Sequence, residues 1–170
     1  MYFEEILFMD NLLKVSAKDY IPLELFSLKW RFTDPKYNEL PKEKLAQIKP
    51  LNKKTSFDLH EHARIFLNNF HLDINRFKSI ENLDTPHEYF LTREWLENKL
   101  PKESKEIIVS WDAETSVRVD REIFYEYWDD FCYEGSDDIV IIPINGEWLM
   151  YYFHEDQFQF GCVRNGVRPQ

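Results

Sequence analysis

The sequence predicts an α+β protein in which N-terminal helices pack on a mainly antiparallel sheet with a C-terminal β-hairpin. Three observations support this fold class. Before residue 105, apolar side chains recur every three to four positions, which is typical of amphipathic helices. After residue 105 they alternate with polar residues or form short continuous runs, which is typical of strands. The 170 residues fit a single domain spanning 1–170, because a domain usually holds about 100–200 residues.

Residues 1–105 are predicted to be mostly helical. An apolar stretch at 2–15 is interpreted as a helix. Pro41 opens a short helix that runs to Ile48, because proline is tolerated in the first turn, and Pro50 ends it. One segment breaks the helical pattern: residues 28–33 (LKWRFT) alternate apolar and polar side chains, which predicts a half-buried strand.

Two stronger helices follow in the first half. One begins at residues 55–58 (TSFD), and the other begins at a capping box, residues 85–88 (TPHE), with proline in its first turn. Each has apolar side chains at helical spacing, so each is expected to bury one face. These apolar positions are Leu59, Ala63, Phe66, Leu67 and Phe70 in the first helix, and Tyr89, Trp95, Leu96 and Leu100 in the second.

Residues 106–170 are predicted to be rich in strands. Residues 106–111 and 116–119 have the pattern of strands, and Asp120 can cap a helix from Arg121 to Phe131. The arms 138–144 and 147–154 flank an Asn-Gly pair, which favours the two-residue turn of a hairpin. Both arms are almost continuously apolar, so both faces of these strands should be covered. A last short strand is predicted at 158–160.

The distribution of charge excludes several functions. Residues 1–105 hold 17 basic and 17 acidic side chains, whereas residues 106–170 hold 4 basic and 14 acidic ones and carry the whole net charge of −10. Binding of nucleic acid or of an anionic membrane through bulk charge needs an excess of Lys and Arg. We therefore expect neither kind of partner. The acidic N-terminus does not resemble an export signal, so a cytoplasmic protein with two reduced cysteines is predicted.

Motifs for catalysis and for cofactor or metal binding are largely missing from the sequence. The four glycines form no phosphate-binding loop, and we predict no cofactor and no metal. His60 and His62 point about 200° apart on a helix, so they cannot share one ion. His154, Glu155 and Asp156 are the residue types of an acid/base site, and a small hydrolase is one alternative function. Another is a small-ligand or regulatory module with a pocket lined by the abundant aromatic residues.

An acidic strip is the candidate partner-binding site. Glu122 and Glu126 are four residues apart, and Asp129 and Asp130 follow Glu126 by three and four, so these four should line one solvent-facing side of the helix after Asp120. A negative field of this kind speeds association with a basic partner and disfavours wrong ones. Tyr125 or Tyr133 could anchor the contact, since tyrosine is enriched at binding hot spots. The strip comprises Glu122, Glu126, Asp129, Asp130, Glu134, Asp137 and Asp138.

The second half also carries a family resemblance. Residues 124–133 (FYEYWDDFCY), 136–138 (SDD) and 148–161 (WLMYYFHEDQFQFG), with fainter similarity at 30–32 (WRF) and 48–51 (IKPL), form a pattern seen in small bacterial proteins. Some of these resemble immunity proteins of polymorphic-toxin and contact-dependent growth-inhibition systems. The resemblance implies a non-enzymatic, cytoplasmic protein that neutralises a cognate toxin by blocking its active site. Many such toxins are basic nucleases, which would suit an acidic surface.

Overall fold

The computed structural model describes residues 14–84, 89–144 and 147–164. Two short 3₁₀ turns, Ala17–Asp19 and Leu23–Leu25, precede the first α-helix. Within these ranges, no helix has both the length and the apolar character needed to cross a bilayer. The α-helices are α1 (Trp30–Thr33), α2 (Lys42–Leu45), α3 (Lys53–Arg64), α4 (Tyr89–Lys99), α5 (Arg121–Glu126) and α6 (Trp128–Phe131).

Most strands join one large sheet. The strands are β1 (Asn38–Glu39), β2 (Lys49–Pro50), β3 (Leu67–Asn68), β4 (His71–Leu72), β5 (Phe77–Asp84), β6 (Glu106–Asp112), β7 (Thr115–Asp120), β8 (Ile139–Pro143), β9 (Trp148–Phe153) and β10 (Gln157–Val163). Seven of them form an antiparallel sheet in the order β2-β7-β6-β8-β9-β10-β5, and β3 pairs with β4 alone. The α+β class and the mainly antiparallel sheet with its C-terminal hairpin are therefore confirmed.

Each face of the sheet has its own hydrophobic core. On one face, side chains such as Val109 and Met150 pack with α1, α4, α5 and α6. On the other face, Ile108 and Tyr151 pack with α3 and the β3–β4 hairpin. Because Ile108 and Val109 are adjacent in the chain yet belong to opposite cores, the central strands are buried on both faces. This explains why β6, β8 and β9 are continuous apolar runs rather than alternating ones.

Polar contacts attach the second layer to its face of the sheet. Asn52 caps α3 by accepting a hydrogen bond from the backbone N–H of Thr55 at 2.9 Å. Further along the helix, the buried hydroxyls of Ser56 and Ser116 share a hydrogen bond of 2.7 Å between α3 and β7. The Gln159 side chain accepts a bond of 2.8 Å from the N–H of Leu72, which holds β4 against β10.

The strand predicted at residues 28–33 is wrong. Residues Trp30–Thr33 form the short helix α1 instead. The alternating pattern assumed that Arg31 faces water, but its side chain is buried beside Phe32, with a relative exposure of 4%. A buried ion pair supplies the reason, as described below, and periodicity alone cannot reveal it.

Two helices differ in extent from their predictions. The helix predicted from Arg121 to Phe131 is broken at Tyr127, whose φ of −122° and ψ of 32° are not helical. Asp120 occupies the N-cap position of α5 without a side-chain capping bond. The helix predicted to start at residue 55 begins at Lys53 and ends at Arg64. Phe66, Leu67 and Phe70 therefore lie beyond α3.

Other local predictions can be compared directly. The short helix after Pro41 and the strands predicted at 106–111, 116–119 and 158–160 are present. The hairpin arms pair as β8 and β9, with Ile139 opposite Tyr152. The long edge strand β5 was not predicted, because its side chains are largely exposed and its pairing with β10 contains a bulge. Residues 2–13 of the predicted first helix, the capping box at 85–88 and the Asn-Gly turn lie outside the described residues.

Gly161 tests how tightly β10 and β5 pack. A Cβ atom at this position would lie 2.8 Å from Cγ of Phe77 and closer still to Cδ1, and this ring is buried. We expect Gly161→Ala to lower the free energy of unfolding by about 1–3 kcal/mol, because the ring has no free space to move into. Urea denaturation would measure the loss. Cys162→Ala is the matched control, since that neighbouring side chain is exposed and its loss should change stability by less than about 0.5 kcal/mol. Equal effects of the two substitutions would contradict the packing account.

Candidate partner-binding site

A buried ion pair joins the two halves of the chain. The Arg31 guanidinium donates to both carboxylate oxygens of Asp137, at 2.5 Å from Nη1 and 2.9 Å from Nη2. Its Nη1 also donates to the backbone carbonyl of Phe131 at 3.2 Å. Asp137 accepts a further bond of 2.8 Å from the N–H of Tyr133. This bidentate geometry and the extra bonds offset the cost of removing two charges from water.

Aromatic rings surround the guanidinium of Arg31. Its Cζ lies 4.3 Å from the ring centroid of Tyr133, 5.3 Å from that of Trp30 and 5.7 Å from that of Trp111. Such contacts are favourable because the ring faces carry negative partial charge. The Nε of Arg31 is buried and has no hydrogen-bond partner among the described residues.

Three aromatic rings in this region are at least partly accessible to solvent. Trp30, Tyr37 and Tyr133 form an aromatic cluster, with centroids 4.6 Å apart for Trp30 and Tyr37, 5.7 Å for Trp30 and Tyr133, and 6.4 Å for the two tyrosines. Tyr37 is 48% exposed, and the other two rings are half-buried. The Lys36 ammonium lies 5.3 Å from the centroid of Tyr37. The cluster therefore contacts a buried cation on one side and an exposed cation on the other.

Two members of the acidic strip do not face solvent. Asp137 is buried in its pair with Arg31, and Asp130 is buried against Asn38, whose Nδ2 donates to it at 2.6 Å. The prediction of one solvent-facing strip is wrong for these two residues. The break at Tyr127 turns Asp130 inward, so the helical spacing that defined the strip is not maintained.

Two other members face solvent but are already paired. The Glu126 carboxylate accepts a bond of 3.0 Å from Lys44 on α2. Asp138 accepts from both the backbone N–H of His154, at 3.1 Å, and its Nδ1, at 2.9 Å. These contacts reduce the charge that the two carboxylates present to a partner.

The remaining three members are exposed: Glu122, Asp129 and Glu134. None of them makes an ion pair with another described residue. Partial burial nevertheless raises the pKa of the Asp129 carboxyl, against the effect of the hydrogen bonds that it accepts from the backbone N–H groups of Asp129 and Asp130. Burial raises the pKa of Tyr133, and after the opposing effect of Arg31 the nearby Asp130 and Asp129 carboxylates raise it further. Asp129 thus lies within electrostatic range of the aromatic cluster, and Glu134 follows Tyr133 directly in the chain. We call Trp30, Tyr37, Tyr133, Asp129 and Glu134 together the aromatic–acidic surface.

Hydrogen bonds hold the loop between α6 and β8 near its C-terminal end. Asp137 binds Arg31, and Asp138 binds His154. Two residues before Asp137, the N–H of Gly135 donates to the carbonyl of His154 at 2.8 Å, with a positive φ of 78° that glycine adopts readily. The exposed Glu134 is therefore presented from a loop held by several hydrogen bonds.

The three residues of the alternative hydrolase site have local roles in the structure. His154, Glu155 and Asp156 form the turn between β9 and β10. Asp156 has a positive φ of 61°, which aspartate tolerates in a three-residue hairpin loop, and accepts a bond of 3.0 Å from the Tyr152 hydroxyl. His154 pairs with Asp138 instead. In the described ranges, no group of three or more His, Cys, Asp or Glu side chains is arranged to hold a metal ion.

A surface groove lies beside the loop before β6. It has a volume of about 380 Å³ and is lined by polar and charged side chains of residues 103–106, by Arg118 and by Ile144. No aromatic ring lines it. Many of the aromatic residues instead pack into the two cores, including Tyr125, which is 8% exposed and is not an available anchor.

The chain was compared with known protein families, with curated proteins and with solved structures, and none of them matches it. Sequence analysis missed Trp30, Arg31, Tyr37 and Asn38, because the acidic charge directed attention to the second half. The sequence does contain a signal for this region. It is an arginine between two large aromatic residues, in a segment that is otherwise apolar at alternate positions.

The Arg31–Asp137 pair is expected to dominate the stability of this region. Asp137→Leu or Arg31→Met alone should lower the free energy of unfolding by about 3–5 kcal/mol, because each leaves a buried charge without its partner. The double variant should lose much less than the sum of the two, and a urea-unfolding double-mutant cycle measures this coupling. The exposed pair of Lys53 and Glu114 is the control, at most about 1 kcal/mol. Additive losses at Arg31 and Asp137 would contradict the pairing.

Asp130 should make stability depend on pH. Burial raises its pKa from 3.8 to about 6, although the bond from Asn38 opposes the shift. The folded state then holds the proton more tightly than the unfolded state, so this stabilisation is present at low pH and is lost as pH rises through about 6. Asp130→Asn removes the effect and should stabilise the protein by about 2–3 kcal/mol more at about pH 7.5 than at about pH 4. Urea unfolding at both values tests this, and parallel profiles would contradict it.

Proposed function

We propose that this chain is a non-enzymatic binding protein whose partner contacts the aromatic–acidic surface. The observation that carries the proposal is the aromatic cluster, which is exposed at Tyr37 and contacts the guanidinium of the buried Arg31–Asp137 pair through Trp30 and Tyr133. Tyrosine and tryptophan are enriched among residues that dominate binding energy. Rings already held in place by packing lose little conformational freedom when a partner binds.

The charge of the surface favours a basic partner. Asp129 and Glu134 are exposed and make no ion pair with the described residues, and the chain as a whole carries a net charge of −10. Such a field raises association rates by about 10–1,000-fold and makes them sensitive to salt. Of the other strip residues, Glu122 is also exposed without an ion pair, whereas Glu126, Asp130, Asp137 and Asp138 are buried or paired. Two of the three available charges should therefore act through Asp129 and Glu134.

The biological role we propose is that of an immunity protein for a basic toxin domain, acting in the cytoplasm. The resemblance of residues 124–161 to immunity proteins of bacterial toxin systems motivates this role. In it, the surface blocks the toxin's active site by steric occlusion and electrostatic complementarity. A basic nuclease suits the proposal because its active site must attract phosphate groups and would equally attract carboxylates.

Charge reversal on the surface should weaken partner binding. The chain would be mixed, at low and at moderate salt, with an inactive variant of the protein encoded immediately upstream of its gene. We expect a 1:1 complex that is tighter at low salt, and a loss of at least about tenfold in affinity for Asp129→Lys with Glu134→Lys. Isothermal titration calorimetry would measure both.

The control for this experiment is Glu103→Lys, which reverses an exposed carboxylate in the loop before β6. It should reduce affinity far less than either reversal on the aromatic–acidic surface. Co-expression with the active upstream protein then tests the immunity role, because the wild-type chain should restore growth better than the double variant. Absence of a complex at both salt concentrations would refute the proposed function for that partner, and equal losses with Glu103→Lys would refute the proposed surface.

A further inference from the structure

We infer that the aromatic cluster is a receptor for an arginine side chain of the basic partner. In this arrangement the guanidinium stacks on the outer side of the cluster, chiefly on Tyr37, and pairs with the Glu134 carboxylate. The inference rests on the proposed function and specifies the chemistry that the partner must supply.

The protein already uses the same chemistry beneath the surface. Arg31 stacks 4.3 Å from the centroid of Tyr133 while both of its terminal nitrogens bind one carboxylate. A guanidinium is planar, so it can stack on a ring and donate two parallel N–H groups to a carboxylate at the same time. An ammonium has no planar face to stack and no such pair of parallel donors. An arginine from outside would repeat this arrangement on the exposed side of the rings.

The outer side of the cluster also accepts a cation in the structure itself. The Lys36 ammonium lies 5.3 Å from the centroid of Tyr37, and Lys36 is exposed. An incoming guanidinium would displace this flexible side chain, so Lys36 should act as a weak intramolecular competitor. Its removal is therefore expected to strengthen binding more than the removal of an equally exposed lysine elsewhere.

The local charges leave room for one added cation. Arg31 is neutralised by Asp137, so the buried pair contributes little net repulsion. Asp129 acts electrostatically on Tyr133, and the exposed Glu134 is the next residue in the chain; neither makes an ion pair among the described residues. A guanidinium on the outer side would thus contact ring faces and at least one available carboxylate.

The test compares three short peptides of equal length, two of which carry the same positive charge. A glycine–arginine peptide, its lysine counterpart and an uncharged citrulline version would each be titrated into the full chain by calorimetry. We expect the arginine peptide to bind at least about fivefold more tightly than the lysine peptide. Tyr37→Leu should abolish this preference, and Tyr37→Phe should keep it because the ring face remains.

Two further comparisons sharpen the result. Phe57→Leu alters a ring of similar exposure on α3, and it should leave the arginine preference unchanged. Lys36→Gln should increase the affinity for the arginine peptide about two- to threefold more than Lys42→Gln, since both remove one exposed charge but only Lys36 covers Tyr37.

Each outcome separates the arginine receptor from the underlying function. Equal binding of the arginine and lysine peptides, with both weakened by Glu134→Lys, would overturn the arginine receptor and leave a general acidic docking surface. A preference that survives Tyr37→Leu would also overturn it. If neither charged peptide binds better than the citrulline peptide at low salt, the receptor and the attraction for basic partners both fail.

Discussion

The buried pair of Arg31 and Asp137 determines how the candidate surface is built. It connects residues 106 positions apart in the chain, and it brings α1 against the loop that leads into β8. Isolated buried charges are strongly unfavourable, so the pair is maintained only with its bidentate bonds, the carbonyl of Phe131 and the surrounding rings. Trp30 and Tyr133 take their positions from the same contacts. The aromatic cluster is thus a consequence of how one arginine is accommodated.

The sheet imposes a second constraint. Because hydrophobic cores cover both faces of its central strands, a partner can reach only the exposed edge strand β5 and the loops and short helices around the sheet. The loop after α6 is suited to this role, since Asp137 and Asp138 fasten it to opposite neighbours. A surface that is ordered before binding retains more of its contact energy as affinity.

The central architecture could be predicted from the sequence, whereas the site could not. Continuous apolar runs identify β6, β8 and β9 because burial on both faces leaves no polar position in them. The exposed edge strand β5 lacks such a signal, and α1 was mistaken for a strand because its arginine is buried. Helical spacing identifies the residues of the acidic strip, but it does not show which of them are buried or paired. Whether Asp130 or Glu134 faces water depends on a helix break and on partners from the first half, which local periodicity does not contain.

The division of the acidic residues changes what kind of recognition we expect. Were all seven carboxylates exposed along the helix and the loop after it, a broad field would dominate and the partner's exact shape would matter little. Instead, Asp137 serves the fold, Asp130 is buried, and Glu126 and Asp138 are paired. The exposed charges are few and lie beside rigid rings. Long-range attraction then contributes mainly to the rate of encounter, while the rings and the nearby carboxylate determine how long the complex lasts and which side chains are accepted.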